Sequence, residues 1–215
     1  MNTVSPKLLY CDPHLLVCHK PRLTLSEGEG ATCLPTLLSA WLSERGEKST
    51  AVYPVHRLDR ETEGVMVFAR TKQAAAGLSL AIAEDRLEKE YLALLCGCPP
   101  SPEGELTDLL FYDRTRSKSF VVTRERKGVK RAALTYRVLE ERPPYTLVRV
   151  SLQTGRTHQI RVQFASRGMP LRGDRKYGAP REDVPLRLCA CRLRFPHPIT
   201  GERMEFTTEP EEGWL

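Results

Sequence analysis

The chain has 215 residues, enough to bury one substantial core, and we predict a single domain over residues 1–215. Its 33 Lys and Arg residues outnumber 27 Asp and Glu residues, and this excess favours a polyanionic partner without naming it. The start of the chain does not have the pattern of a signal peptide, and no long apolar run follows, so we expect a cytoplasmic protein that does not enter a membrane.

Seven cysteines include two pairs with Cys-x-Cys spacing, Cys96 with Cys98 and Cys189 with Cys191. Zinc sites usually have two residues between paired cysteines, and alternate positions on a strand explain both pairs as ordinary core thiols. We therefore expect no metal.

The chain begins with two short apolar runs between Lys7 and Lys20, broken by Asp12 and Pro13, which predict two strands joined by a turn. As residues at a strand end, His19 and Lys20 are expected to be solvated. A helix is then predicted to open at Pro35 and to stop at Gly46.

A short polar turn follows, in which His56 and Arg57 come directly before Asp59. The turn ends at Gly64 and leads into the apolar run Val65–Ala69, which is typical of a strand buried on both faces. A carboxylate among cations at the mouth of a strand is a candidate catalytic group. The alternative is a charged connection between two strands.

Thr71 is predicted to cap a second helix that extends to about Asp85, and residues 88–97 return to a strand pattern. The most basic tract, residues 113–131, alternates cations with apolar residues, as expected for a hairpin with a charged rim. Its cations either contact nucleic acid or form a solvated face. An antiparallel pair is predicted over residues 135–140 and 146–152.

Near the carboxyl end, Thr157 is predicted to be the N-cap of a helix over His158–Arg167, with Arg161 near its middle and Gly168 as its stop. Closing strands are expected over residues 186–195 and 203–207. The terminus, residues 208–215, is acidic and is expected to be loose.

Several of these segments resemble, in order, the motifs of the RluA-type pseudouridine synthases. His56–Gly64 resembles the family's HRLDxxTSG motif, although Glu63 stands where the family has a Ser. Glu88–Gly97 resembles KxYxAxxxG, Thr154–Gln163 resembles TGRTHQIRVH with Gln at its last position, and Gly173–Gly178 matches GDxxYG. The resemblance implies a mixed α/β (α+β) fold, a single catalytic domain with a largely antiparallel central sheet flanked by helices, and no S4 domain.

The resemblance also implies roles for individual residues. Asp59 would be the catalytic carboxylate, Arg161 its ion-pair partner, and Tyr91 would stack on the target uracil. Arg57 would fill the gap left by the flipped base. Ile160 and Leu171 would line the pocket. For His19 and Lys20, whose strand lies near the active site in this family, lining the pocket is the alternative to being solvated. Glu63 is expected to point away from the site or to meet a cation, since a carboxylate pointing inward would raise the pKa of Asp59.

The implied activity is the conversion of uridine to pseudouridine in ribosomal or transfer RNA by a monomer. This isomerisation changes neither oxidation state nor composition, so no cofactor is expected. Two alternatives are an RNA-binding protein without activity and a glycosylase, which would need Glu61 or Glu63 as a second carboxylate. The expected RNA-binding residues are Arg57, His56, Arg156, His158, Arg124, Arg126 and Lys127.

Overall fold

A computed structural model describes residues 6–28, 30–211 and 213–214. In chain order, the elements are β1 (Lys7–Cys11), β2 (Leu15–Lys20), α1 (Leu34–Glu44), β3 (Tyr53–Pro54), β4 (Glu63–Ala69), α2 (Lys72–Ala83), β5 (Glu88–Cys96), β6 (Glu103–Asp113), β7 (Lys118–Val122), β8 (Val129–Arg142), β9 (Tyr145–Leu152), α3 (Gln159–Ala165), β10 (Leu188–Pro196) and β11 (Arg203–Thr207). The chain is thus an α+β protein.

These elements form two compact units. The first unit contains the residues up to Lys89 together with Ala190–Pro210. The second unit contains Glu90–Cys189 and the residues from Glu211 onward.

In the first unit, strands lie in the order β1-β2-β4-β10, with β3 paired to β4 and β11 paired to β10. The pairs β1/β2, β2/β4, β3/β4 and β10/β11 are antiparallel. Every residue of β4 is buried, as the continuous apolar pattern predicts. Gly64 has a φ of +126°, and a Cβ at this position would collide with the backbone of Ala190. Glycine therefore lets β4 start at this close approach.

Helix α2 covers one face of these strands. Its residues Ala74 and Leu78 join Val65 and Val67 of β4 in a buried apolar cluster. The predicted cap is confirmed, because the Thr71 hydroxyl accepts a hydrogen bond from the Ala74 amide at 3.1 Å.

In the second unit, strands lie in the order β5-β9-β8-β6-β7, and each neighbouring pair is antiparallel. The predicted hairpin is present as β6 and β7. The basic tract covers the turn between these strands, β7 itself and the loop from β7 to β8, and we call the hairpin together with this loop the basic hairpin. Helix α3 contacts β6 and β7, and its Val162 packs on Leu110 and Ala132.

Two predictions for the carboxyl-terminal part are wrong. Helix α3 begins at Gln159, and its N-cap is His158, in the left-handed region at φ +55°, rather than Thr157. The expected loose tail is contradicted at Gly213 and Trp214. The Trp214 side chain is buried, and Arg187 Nη2 donates to the Gly213 carbonyl at 2.6 Å.

No helix within the described part of the chain is both long enough and apolar enough to cross a membrane.

Candidate active site

The turn that carries Asp59, in the first unit, is fixed by backbone contacts on both sides of this residue. The Ser26 hydroxyl donates to the Leu58 carbonyl at 2.8 Å and accepts from the Leu58 amide at 3.0 Å. The Thr62 amide donates to the Asp59 carbonyl at 3.0 Å, and the Leu23 amide donates to the Arg60 carbonyl at 2.7 Å. The half-buried Asp59 carboxylate therefore projects from a backbone that is held in one conformation.

Lys20 stabilises this turn through hydrogen bonds to its backbone. Its side chain is fully buried, and Nζ donates to the carbonyls of Thr62, Pro21 and Arg60 at 2.7, 3.0 and 3.2 Å. These three bonds use all three N–H groups of the ammonium. Burial lowers the pKa of Lys20 to about 8, although the neighbouring Asp59 carboxylate raises it. The expectation that Lys20 is solvated is wrong.

Glu63, the residue that departs from the motif, is also fully buried, at the start of β4. The expectation that it points outward is therefore wrong. The alternative, that it meets a cation, agrees with its surroundings. Its carboxylate lies 3.9 Å from Nε2 of His19, and its charge raises the pKa of Lys20.

The two residues before Asp59 differ in their environment. The His56 ring accepts a hydrogen bond at Nε2 from the Val67 amide at 3.1 Å. Burial lowers the pKa of His56 to about 3, so the ring is neutral at pH 7 and offers no charge to a phosphate. Arg57 is exposed, and its Nη1 pairs with Glu27 at 2.6 Å.

In the second unit, the apolar residues expected near the site are buried. Tyr91 lies on β5 opposite Val150, and 6% of its surface is exposed. Leu171 is fully buried and forms an isolated β-bridge with Leu95, which lies on β5 with Tyr91. Ile160 lies in the first turn of α3 and is 4% exposed.

Arg161 forms a buried, bidentate ion pair in the second unit. Its Nε and Nη2 donate to the two carboxylate oxygens of Asp174 at 2.7 and 2.8 Å, with side-chain exposures of 2% and 0%. The guanidinium also lies 5.3 Å from the centre of the Tyr177 ring. Asp174 had no predicted role, although it is the acid of the segment that matches GDxxYG.

The loop before α3 is held by a second residue without a predicted role, Gln159. Its Oε1 accepts from the Thr154 hydroxyl at 2.7 Å and from the Arg156 amide at 3.0 Å, while its Nε2 donates to the Ala133 carbonyl at 3.0 Å. A buried Gln at the start of a helix fixes the direction in which α3, and with it Arg161, leaves the loop.

Three comparisons with known proteins agree on the family. The family model described as RNA pseudouridylate synthase matches residues 14–166. This chain belongs to that family. The chain is therefore an isomerase, an RluA-type RNA pseudouridine synthase.

Three relatives show how far the similarity extends. An uncharacterized RNA pseudouridine synthase of Aquifex aeolicus is 40% identical over 98% of this chain and 71% of the relative. Ribosomal large subunit pseudouridine synthase D of Zymomonas mobilis is 30% identical over 94% of this chain and 68% of the relative. Ribosomal large subunit pseudouridine synthase C of Escherichia coli is 33% identical over 96% of this chain and 67% of the relative.

Solved structures extend the similarity to the fold. The human protein titled RNA pseudouridylate synthase domain containing 4 has a TM-score of 0.81 at 25% identity and covers 96% of this synthase and 89% of its own chain. The human protein titled RNA pseudouridylate synthase domain containing 1 has a TM-score of 0.80 at 25% identity.

Four of the basic residues expected to bind RNA lie on the surface of the second unit of this synthase. Arg124, Arg126 and Lys127 are exposed between β7 and β8, and the Arg126 guanidinium lies 4.6 Å from the Phe111 ring centre. Arg156 is exposed, and its Nε donates to the Arg131 carbonyl at 3.0 Å.

The predicted site residues thus divide between the units. Asp59, Arg57 and His56 share one segment of the first unit. The second unit holds the remaining residues, which are Tyr91, Arg124, Arg126, Lys127, Arg156, His158, Ile160, Arg161 and Leu171.

Proposed function

We propose that this synthase isomerises uridines in large-subunit ribosomal RNA and that Asp59 is its catalytic carboxylate. The relatives from Zymomonas mobilis and Escherichia coli carry ribosomal large subunit in their names, which favours ribosomal over transfer RNA. The synthase carries an excess of Lys and Arg over Asp and Glu, as expected for a protein that binds a polyanion.

The fixed turn around Asp59 carries the proposal for this residue. Lys20 and Ser26 bind four backbone carbonyls in and around this turn, so the Asp59 backbone does not need to reorganise when RNA binds. A reactive group held in one geometry avoids much of the entropic cost of reaching the transition state. A merely charged connection between strands would not need a buried lysine beneath it.

The reaction breaks the bond between C1′ of the ribose and N1 of uracil and forms a bond between C1′ and C5. The hydrogen on C5 is lost, and N1 gains a proton. An ionised Asp59 assists this exchange by attack at C6 of the uracil or at C1′. Both modes conserve all heavy atoms and need no redox partner.

The resemblance to the family assigns the remaining roles to Arg161 and Tyr91. Arg161 would be the cation that pairs with the catalytic carboxylate. The Tyr91 ring would stack on the uracil after the nucleotide has turned out of the RNA, and the exposed Arg57 would fill the gap by stacking. Ile160 and Leu171 would supply the apolar wall of the pocket.

Tritium release from RNA labelled at C5 of uridine tests this function. We expect release from a large-subunit rRNA transcript with the wild-type enzyme and background release from tRNA. Release from tRNA alone would overturn the assignment of the substrate. Release from neither RNA, with a folded enzyme, would overturn the proposed activity. Asp59→Asn serves as the inactive reference.

A further inference from the structure

The segment Gly173–Gly178, which we call the 173–178 turn, is a rigid loop in the second unit. Its two glycines have φ of +78° and +92°, and a Cβ at Gly173 would collide with the Pro185 carbonyl. Between them, the carbonyl of Asp174 accepts from the amides of Tyr177 and Ala179 at 3.2 and 3.1 Å. The Asp174 and Tyr177 side chains therefore leave the turn in fixed directions.

Asp174 determines the orientation of the Arg161 guanidinium. The two parallel hydrogen bonds to Nε and Nη2 fix both the position and the plane of this group. The pair is buried on both sides, so water does not compete for these donors. The Nη1 side of the guanidinium takes no part in this pair and is presented in a defined direction.

Tyr177 supports the same guanidinium from its face and also links it to the neighbouring elements. Its ring centre lies 5.3 Å from Cζ of Arg161, within the range of a cation–π contact. Its hydroxyl accepts from the Ser119 amide at 2.8 Å and lies 2.9 Å from Nδ1 of His158. Burial raises the pKa of Tyr177 to about 12, so the phenol keeps its proton at neutral pH.

Two further contacts join the 173–178 turn to the basic hairpin, and a third joins the hairpin to the start of α3. Lys176 Nζ donates to the Ser117 carbonyl at 3.0 Å, and Lys118 Nζ lies 5.0 Å from the Tyr177 ring centre. The Ser119 hydroxyl donates to the Thr157 carbonyl, next to the start of α3, at 2.5 Å. The hairpin, the turn and the helix that carries Arg161 therefore form one connected network.

We propose that Asp174 and Tyr177 are positioning residues for the isomerisation. Asp174 fixes the orientation of the Arg161 guanidinium, the cation that the proposed function assigns to the reaction, and Tyr177 links this group to β7 through Ser119. The inference rests on the proposed function, since it assigns both residues an effect that passes through Arg161.

The central test compares Asp174→Asn with Arg161→Met in single-turnover release of tritium from labelled rRNA. We expect Asp174→Asn to lower the rate by about a hundredfold, the scale of a misplaced group, while the Kd for the RNA is unchanged. A general loss of structure would instead raise the Kd for the RNA together with the loss of rate.

The double variant Asp174→Asn/Arg161→Met separates positioning from an independent role. If Asp174 acts through Arg161, the double variant should be no slower than Arg161→Met alone. Additive losses in the double variant would overturn the inference, as would a wild-type rate in a folded Asp174→Asn enzyme. Asp183→Asn is the matched control, since this neighbouring carboxylate is exposed, and it should keep the wild-type rate.

Tyr177→Phe provides the decisive measurement if Asp174→Asn does not fold. This variant keeps the ring over Arg161 but loses the hydroxyl contacts to Ser119 and His158. We expect its rate to fall roughly tenfold, a typical size for a residue that couples two elements. An unchanged rate would overturn the inference. If the wild-type enzyme releases no tritium from any RNA, the proposed function fails and this inference fails with it.

Discussion

Lys20 is a single side chain on which the conformation of the turn that carries Asp59 depends. A buried ammonium is costly, and it persists here because three carbonyls accept its hydrogen bonds and two carboxylates, Asp59 and Glu63, lie near enough to raise its pKa. This environment links the ionisation of Lys20 to the geometry of the turn.

The depressed pKa of Lys20 predicts a pH dependence of stability. The group titrates near pH 8 in the folded protein and near 10.5 when unfolded, so the unfolded state binds more protons between these values. Its contribution to stability therefore rises with pH through this window and is lost as pH falls through about 8. Relative to Lys20→Met, the wild-type protein should gain roughly 2 kcal/mol between pH 7.5 and pH 9.5.

Urea unfolding of both proteins at the two pH values measures this difference. The variant is the control for the other groups that titrate in the same range, since it retains all of them. A stability difference that does not change with pH would show that Lys20 keeps its ordinary pKa in the folded protein.

The resemblance implies that Asp59 pairs with Arg161, and on the proposed function the two residues should act together in catalysis. Asp59→Asn keeps the shape of the side chain but removes its charge, and it should lower the single-turnover rate by at least about a thousandfold while RNA still binds. Arg161→Met should lower it by about a hundredfold, because a partly desolvated carboxylate without its cation tends to protonate.

The double variant Asp59→Asn/Arg161→Met should be little slower than Asp59→Asn alone. The measurements are tritium release and binding of the same rRNA, with thermal unfolding to confirm that each variant is folded. Rapid turnover by Asp59→Asn would disprove its assigned role. Loss of binding in step with the rate would instead indicate a structural role for the pair.

The sequence identified the candidate site residues more successfully than it predicted the burial and contacts of their neighbours. The motif matches pointed to Asp59 and Arg161 by residue type and order. The burial of Lys20 was missed because its ammonium binds the carbonyls of Arg60 and Thr62, which are distant in the sequence. The burial of Glu63 was missed because its neighbour His19 lies on another strand. A local pattern contains no information about such a meeting.

At the scale of elements, the basic hairpin gives a measurable electrostatic effect. Its exposed cations Arg124, Arg126 and Lys127 would release counterions from the RNA on binding, so affinity should fall steeply with salt. Changing all three to Gln should reduce the slope of log K against log salt concentration by about 2.

The control for the hairpin variant neutralises Lys7, Lys48 and Lys72, which are exposed in the first unit. It changes the net charge of the protein equally and should leave the slope close to the wild-type value. Equal slopes for the hairpin variant and the wild-type protein would mean that the hairpin is ordinary solvated surface.

The elements differ in how far their sequence determined them. The strand β4 and the Thr71 cap of α2 were predicted correctly, since a continuous apolar run and an N-cap hydroxyl are local signals. The start of α3 was predicted wrongly. Thr157 was chosen as the N-cap because a Thr hydroxyl is a common capping group, whereas His is not. His158 holds the N-cap position instead, with contacts to Tyr177 from a distant turn.

For the whole molecule, the path of the chain bears on the prediction of a single domain. The chain passes between the two units at three points. Two of these lie within strands, between Lys89 and Glu90 in β5 and between Cys189 and Ala190 in β10, and the third lies between Pro210 and Glu211, after β11. Separate domains are usually joined by exposed, flexible linkers, whereas here two of the three connections run through regular strands. We therefore expect the units to unfold together.

The two tryptophans allow this expectation to be tested unit by unit. Trp41 lies in α1 of the first unit, and Trp214 belongs to the second. In Trp214→Phe the fluorescence reports only the first unit, and in Trp41→Phe only the second. Within each variant, the fluorescence transition in urea should coincide with the loss of far-UV circular dichroism. Calorimetry of the wild-type protein should give a van't Hoff enthalpy equal to the calorimetric one, about 150 kcal/mol for a chain of this length. A van't Hoff enthalpy near half that value, with separate midpoints for the two tryptophans, would show that the units are independent domains.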